Sequence, residues 1–194
     1  MFKQLRPVFI VFLLLSVLTG TVYPLLVTGV AQLAFPEKAN GSLIRGEGGY
    51  TGSELIGQPF GDPKYFWGRL SATPDFSYNA ASSSGSNFGP SNPALAEAVK
   101  ARVAALQKAD PGNALPVPID LVTSSGSGLD PHLSPAAARY QVSRVARARG
   151  LSEDQVRLLV NRFIEPRQWG FLGEPKVNVL KLNLSLDRLR EKGA

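Results

Sequence analysis

The stretch of sequence best suited to binding a ligand is a run of serine and glycine at residues 123–130, which reads Thr-Ser-Ser-Gly-Ser-Gly-Leu-Asp. A glycine-rich loop between a strand and a helix can direct backbone N–H groups at an anion. This run lacks the lysine–hydroxyl ending of a phosphate-binding P-loop and the third glycine of a dinucleotide-binding loop. Two interpretations therefore remain open: an anion-binding loop, or a structural turn that Asp130 closes.

The composition excludes several kinds of catalytic site. The chain has no cysteine and one histidine, so it has no thiolate nucleophile, no disulfide and no cysteine- or histidine-rich zinc site. That histidine, His132, lies in a predicted turn, and no Gly-x-Ser-x-Gly motif that would indicate a hydrolase accompanies it. The acids Glu153 and Asp154 are explained by their place at a helix N-terminus. We therefore predict no catalytic residue, no metal ligand and no enzyme activity of the chain by itself.

Arginine is concentrated in one segment of a mildly basic chain. The formal net charge is +6, from 21 Lys and Arg against 15 Asp and Glu. Solvated helix surfaces with ion pairs four residues apart explain most of the cluster; a face for lipid phosphates, a nucleotide or an acidic partner is the alternative. Because no dense Lys/Arg stripe with interleaved aromatics occurs, we predict no nucleic-acid partner. The clustered residues are Arg139, Arg144, Arg147, Arg149, Arg157, Arg162 and Arg167.

An uncharged run near the N-terminus predicts one membrane-spanning helix. Residues 8–35 contain no charge, and as a helix they would be about 42 Å long, against about 30 Å of hydrocarbon in a bilayer. Lys3 and Arg6 precede the run, which places residues 1–7 in the cytoplasm by the positive-inside rule and residues 36–194 outside it. A cleaved signal peptide is the alternative, but we favour a retained anchor because no small-x-small cleavage motif follows the apolar core.

The span contains residues that affect helix geometry and helix packing. Pro24 is expected to kink the helix and to free the carbonyl of Gly20. The small side chains of Thr19–Thr21 and of Thr28–Gly29 would allow another helix to approach closely, although tolerance of such residues in lipid explains them equally well.

The remaining residues, 36–194, are enough for one domain with its own core. Residues 36–92 are rich in Gly, Pro, Ser and Asn and predict loops and short strands. Because the order of elements is too irregular for a doubly wound sheet, we predict an α+β fold: a single N-terminal transmembrane helix followed by one compact extracytoplasmic domain with few strands and three to four helices. Asn92 before Pro93 and a capping box of Ser152 and Gln155 predict helix starts. Such caps and apolar periodicity together predict strands at 117–123 and 176–182 and helices at 92–110, 134–150, 152–163 and 184–192.

Several motifs occur in an order that matches a known family over nearly the whole chain, from about residue 5 to residue 189. They are Tyr23–Leu26, residues 39–44, residues 52–58, residues 85–87, residues 120–135 and Val177–Asn178. Together they resemble the KdpC family, the small subunit of the bacterial Kdp potassium-transporting P-type ATPase. The family usually has proline where this chain has Leu70, so the turn there should be looser.

The resemblance implies a non-catalytic accessory subunit of a high-affinity, ATP-driven potassium uptake complex in the bacterial inner membrane. The implied partners are a channel-like potassium-selecting subunit, an ATP-hydrolysing P-type subunit that carries the catalytic site, and a very small helical subunit, besides membrane lipid. We expect the chain to assemble and stabilise this complex. A stand-alone anchored domain that binds a small anion at the Ser/Gly loop is the alternative.

The resemblance also implies a catalytic chaperone that raises the ATP affinity of the pump subunit. No cofactor is predicted from the residues alone, whereas the resemblance makes ATP a candidate ligand. The implied nucleotide contacts are Ser125, Gly126, Ser127, Gly128 and Gln141. This implication conflicts with the charge bias, which places these residues across the bilayer from cytoplasmic ATP.

Overall fold

The structure, a computed structural model, describes residues 2–46 and 49–191. The chain divides into two compact units, residues 1–53 and residues 54–194. The first unit holds a long apolar helix and a short hairpin, and the second is a mixed domain of helices and small strands. The α+β class that the sequence predicted is therefore confirmed.

In the first unit, helical structure runs without interruption from residue 2 to residue 34. It comprises α1 (Phe2–Val17), a π-helical turn (Leu18–Val22) and α2 (Tyr23–Ala34), and the one-turn helix α3 (Pro36–Ala39) follows. Strands β1 (Leu43–Gly46) and β2 (Gly49–Ser53) then pair antiparallel. The stretch Gln4–Ala34 is 31 residues of helix, long and apolar enough to cross a membrane.

The π-helical turn is how the helix accommodates Pro24. Proline has no N–H to donate to the carbonyl four residues earlier, that of Gly20. The chain widens just before it, so that the N–H of Tyr23 bonds the carbonyl of Leu18, five residues back. The expected disturbance at Pro24 is therefore a wide turn within a continuous helix.

Over its described residues, the second unit packs five helices around a three-stranded antiparallel sheet. The strand order is β3-β5-β4, and Val177 in the central strand faces both Leu133 and Ile164. The strands are β3 (His132–Leu133), β4 (Ile164–Glu165) and β5 (Lys176–Asn178). The helices are α4 (Pro93–Ala109), α5 (Pro135–Tyr140), α6 (Val142–Arg149), α7 (Glu153–Arg162) and α8 (Val179–Glu191).

The core of this unit is apolar and draws on every helix. Its side chains are almost entirely withdrawn from solvent, which provides the main favourable term in folding. Among them are Phe66, Leu106, Leu121, Val145, Val160, Val177, Leu182 and Leu186. The apolar faces predicted for α4 and α7 pack here, as their helical spacing indicated.

The predicted helix caps are confirmed. The Asn92 side chain accepts the N–H of Ala94 at 3.0 Å, with Pro93 in the first helical position. Ser152 and Gln155 form the expected capping box, in which each side chain bonds the other residue's backbone N–H. Gly150 ends α6 in a left-handed conformation, at φ 67°.

Two strand predictions are wrong. The segment 117–123 is a loop with a 3₁₀ turn at Ile119–Leu121, because Pro116 and Pro118 remove the N–H groups that a ladder would need. The segment 176–182 is a strand only to Asn178, whose side chain accepts the N–H of Lys181 at 3.1 Å and thereby begins α8.

Two helix predictions also need correction. The helix predicted over 134–150 is two helices, α5 and α6, because Gln141 between them turns its side chain back onto the carbonyl of Ala137. The terminal helix begins at Val179, earlier than the predicted Leu184. Its predicted end at Lys192 lies outside the described residues.

Candidate functional site

The Ser/Gly loop, residues 124–130, is held from two sides by other loops. On one side Ser83 and Ser84 both donate to the carbonyl of Ser127, at 2.9 and 3.0 Å. On the other, Ser71 donates to the carbonyl of Gly128 at 2.7 Å. The carbonyls of this loop thus accept bonds from the domain, which fixes the loop's shape.

Two neighbouring residues of this loop, Gly126 and Ser127, are exposed to solvent. Within the described part of the chain, the N–H groups of Gly126 and Ser127 have no acceptor, and both residues are exposed. The next two N–H groups are occupied: that of Gly128 bonds the carbonyl of Ser125, and that of Leu129 bonds the Ser127 hydroxyl. Adjacent free N–H groups are the feature that an anion-binding loop requires.

Gly128 is the residue that this loop geometry demands. Its φ is 67°, a conformation that residues with a side chain rarely adopt. A β-carbon there would also lie 2.5 Å from the carbonyl oxygen of Ser84, closer than van der Waals contact allows. Gly126 has open space at the same position.

Gln141, the other residue implied in nucleotide contact, lies in the core at 1% exposure. Its side-chain oxygen accepts the N–H of Trp67 at 2.8 Å, and its amide donates to the carbonyls of Trp67 and Ala137. A guanidinium nitrogen of Arg144 donates to the same oxygen at 2.6 Å. The structure therefore does not bring Gln141 to the exposed part of the Ser/Gly loop, and a ligand would have to replace existing bonds to reach it. Its nucleotide role stays a prediction.

Asp130 closes the loop by binding two neighbours. It accepts a hydrogen bond from the guanidinium of Arg69 at 3.2 Å and another from the backbone N–H of His132 at 2.9 Å, and the His132 ring nitrogen Nδ1 lies 3.3 Å away. Partial burial would raise the pKa of Asp130, but the hydrogen bonds from His132 and Arg69 outweigh it and lower this pKa. The lowered pKa means that the contacts to His132 and Arg69 stabilise the ionised form of Asp130, which closes the turn.

The arginines of this segment differ in their burial and in their partners. Arg157 pairs with Glu153, one turn away, as predicted for a solvated helix surface. Arg144 is instead 3% exposed and stacks 4.4 Å from the centre of the Trp67 ring. Burial lowers the pKa of Arg144 to about 10, which still leaves it charged at neutral pH. Sequence periodicity gave no signal that one arginine of the segment would be a core residue.

A feature that the sequence reasoning missed is an exposed aromatic hairpin, residues 167–174. Gln168 and Leu172 bond each other through both backbone groups, at 2.9 Å each. At the tip Trp169 is 78% exposed and Phe171 69% exposed. Trp169 also has φ 54°, uncommon for a bulky residue. Aromatic side chains exposed on a pinned turn are typical of a contact surface.

The described residues contain no group of three or more His, Asp or Glu side chains that could hold a metal ion. The first unit presents an exposed apolar helix. The second presents a Ser/Gly loop that is held by neighbouring loops and has, among the described residues, two backbone N–H groups without an acceptor. These features define the class of chains that have one candidate membrane-spanning helix and a separate folded domain.

Comparison with known proteins identifies the family. The family described as "KdpC: K+-transporting ATPase, c chain" matches residues 5–188. Two relatives, each named a potassium-transporting ATPase KdpC subunit, are 63% identical over 190 residues, covering 98% of this chain and 100% of their own; they come from Methylococcus capsulatus and Sorangium cellulosum. A relative from Herpetosiphon aurantiacus is 61% identical over 185 residues, covering 95% of this chain and 96% of its own. The chain belongs to the KdpC family of potassium-transporting ATPase subunits.

Proposed function

We propose that this chain is the non-catalytic accessory subunit of a high-affinity, ATP-driven potassium uptake complex, and that it assembles and stabilises that complex. The observation that carries the proposal is a family match that includes both the apolar helix and the domain, from residue 5 to residue 188. Its partners in this proposal are a channel-like potassium-selecting subunit, an ATP-hydrolysing P-type subunit and a very small helical subunit.

In this proposal residues 1–7 lie in the cytoplasm, residues 8–35 cross the bacterial inner membrane and the domain lies outside. The support is the charge asymmetry, since Lys3 and Arg6 precede the uncharged run of residues 8–35. Protease added to intact spheroplasts should degrade the domain. Protection of the domain until the membrane is opened would reverse the orientation, and a mature chain beginning near residue 30 would replace the anchor with a cleaved signal peptide.

The helix is well suited to contact a partner within the membrane. A β-carbon at Gly20 or Gly29 would have no atom within 4 Å, so both positions offer bare backbone to an approaching helix. Since lipid tails are as apolar as leucine side chains, helix association in membranes depends on such close packing.

Co-purification tests the assembly role. The tagged full chain, expressed with the remaining subunits, should retain two larger membrane subunits in detergent. The matched control replaces residues 8–35 with an unrelated single span of equal length, which keeps the anchor and the orientation but changes the packing surface. We expect this chimera to lose the larger subunits and growth at low potassium. Equal recovery with the chimera would exclude the native helix as the assembly surface.

A second candidate function is the family's catalytic chaperone role, in which the chain raises the ATP affinity of the pump subunit. The free N–H groups of Gly126 and Ser127 favour it, because they can receive a phosphate. Titration of the purified full chain with ATP tests it, with Ser127→Glu as the repelling variant and Ser127→Gln as the uncharged control. If Ser127→Glu loses binding and Ser127→Gln keeps it, the result supports either this role or a stand-alone anion site. The KM for ATP of the assembled pump then separates these two possibilities. No heat with ATP or phosphate excludes ligand binding at the loop.

A further inference from the structure

A cavity beside the Ser/Gly loop, with no residue of that loop in its lining, contains two arginines. Its volume is about 270 Å³, just below the range of about 300–1,000 Å³ typical of sites for drug-sized ligands. Arg69 and Arg102 line it together with Tyr78, Ser77 and Phe60. Its lining, all of it within the described part of the chain, includes no carboxylate. We call it the arginine cavity.

Arg102 reaches the cavity from α4 with its charge uncompensated. Its Nε donates to the carbonyl of Leu121 at 3.0 Å, and one terminal nitrogen donates to the carbonyl of Gly68 at 3.2 Å. Its guanidinium lies 5.2 Å from the centre of the Trp67 ring. Among the described residues no carboxylate lies within ion-pair distance of it. The domain thus holds this cation by carbonyls and a ring face, and burial lowers its pKa.

Arg69 contributes the second guanidinium. Its terminal nitrogens bond Asp130 and the carbonyl of Ser124, each at 3.2 Å. Its Nε is buried and, within the described part of the chain, has no hydrogen-bond partner. A buried donor without a partner costs free energy, about 1–3 kcal/mol. Both arginines of the cavity are therefore incompletely satisfied by the protein.

The wall of the cavity is tightly constructed. The Tyr78 hydroxyl donates to the carbonyl of Arg69 at 2.6 Å, and the Tyr78 N–H donates to the Ser71 hydroxyl at 2.8 Å. The ring fits only because two neighbours are glycines: a β-carbon at Gly57 would lie 2.3 Å from the ring, and one at Gly68 would lie 2.8 Å from the hydroxyl. The bond from the Tyr78 hydroxyl therefore holds the backbone of Arg69 at the wall of the cavity.

We infer that the arginine cavity binds a small oxyanion of the phosphate or sulfate type, with Arg102 as its main counter-charge. Guanidinium groups match the oxygen geometry of such anions through paired N–H donors. An anion in the cavity supplies the negative charge that the described chain does not place beside Arg102. The anion comes either from solution or from the phosphate of a lipid headgroup. This inference does not depend on the proposed function.

Thermal unfolding and calorimetric titration of the full chain in neutral detergent test the inference. The probes are inorganic phosphate, sulfate and dihexanoyl phosphatidic acid, each compared with chloride at equal ionic strength. We expect the oxyanions to raise Tm in proportion to the logarithm of their concentration, as ligands of the native state do. Binding of the short-chain lipid alone assigns the anion to a headgroup. No effect beyond chloride with any probe overturns the inference.

Two substitutions locate the site. Ser77 lines the cavity and is exposed, so Ser77→Asp places a repelling carboxylate at the rim without disturbing the core. We expect it to weaken oxyanion binding at least about tenfold, while Ser77→Asn binds as the parent does. Arg102→Gln should abolish binding, and Arg157→Gln, on the exposed face of α7, should not. Equal affinity in Ser77→Asp and Ser77→Asn overturns the assignment, even if Arg102→Gln does not fold.

Discussion

Gln141 binds both backbone groups of Trp67, accepting its N–H at 2.8 Å and donating to its carbonyl at 3.1 Å. Asn183 does the same for Phe66, at 2.9 and 3.0 Å. A two-residue extended segment is thus held by two side-chain amides in the way that a neighbouring strand would hold it. These backbone groups are buried and need hydrogen-bond partners. The two side-chain amides therefore fix the position of Phe66 and Trp67, and with it the start of the loop that carries Arg69.

Replacing Gln141 by leucine should destabilise the domain. Trp67 would keep a buried N–H and a buried carbonyl without partners, a cost of about 2–4 kcal/mol in the free energy of unfolding. Chemical denaturation of the full chain in detergent measures it. Gln107→Leu, on an exposed face of α4, is the control and should change stability by less than about 0.5 kcal/mol. Unchanged stability of Gln141→Leu, with loss of an ATP effect, would instead favour a ligand role for this residue.

The two glycines of the Ser/Gly loop should respond differently to alanine. Gly128→Ala combines a left-handed backbone with a β-carbon 2.5 Å from the Ser84 carbonyl oxygen, and should cost about 2 kcal/mol or more. Gly126→Ala meets open space and should be nearly neutral. Thermal denaturation of both variants makes the comparison. Equal destabilisation would mean that the loop is not held in the geometry described.

Asp130 should make part of the stability acid-sensitive. Its pKa in the folded state lies below the ordinary value of 3.8. The stabilisation is therefore present above the unfolded-state pKa and is lost as pH falls through the folded-state pKa. Asp130→Asn should lower the unfolding free energy at pH 7 by about 1–2 kcal/mol, and the difference from the parent should shrink below about pH 4. A constant difference across this pH range contradicts the prediction. Glu97→Gln, exposed on α4, should leave the pH profile unchanged.

The aromatic hairpin should matter for assembly and not for folding. Trp169 and Phe171 are both largely exposed, so their replacement by serine should alter stability by less than about 0.5 kcal/mol. As central aromatic contacts of an interface they should reduce recovery of the partner subunits about tenfold. Leu158→Ser, 70% exposed on α7, is the control. Full recovery with the doubly substituted hairpin would show that this surface lies outside the complex.

Local sequence rules predicted the elements that depend on local interactions. The caps at Asn92 and Ser152 and the apolar face of α7 need only neighbours in the chain, and the structure has all of them. The strand predicted over 117–123 failed although its apolar run fitted, because two prolines decide the hydrogen bonding there. The sequence did not predict the break at Gln141: its side chain bonds the carbonyl of Ala137, and it is also held by Trp67, 74 residues away, which local sequence cannot show.

The same distinction between local and long-range interactions applies to the candidate sites. Glycine and serine composition sufficed to single out the loop at 124–130, whose free N–H groups the structure then displays. The arginine cavity had no signal in the sequence, because Arg69 and Arg102 lie 33 positions apart and meet only through tertiary packing. Residue type alone also misled at Arg144, a charged residue that is 3% exposed.

The π-helical turn at Leu18–Val22 changes the directions in which the residues on either side of it point from the apolar helix. In a regular helix Gly20 and Gly29, nine residues apart, would point in opposite directions, about 180° apart at about 100° per residue. Gly20 lies within the π turn, where each residue adds less rotation than in an α-helix, so the two glycines are less than about 180° apart. The turn therefore moves Gly20 and Gly29 toward a common side of the helix, where a neighbouring helix can approach the backbone closely.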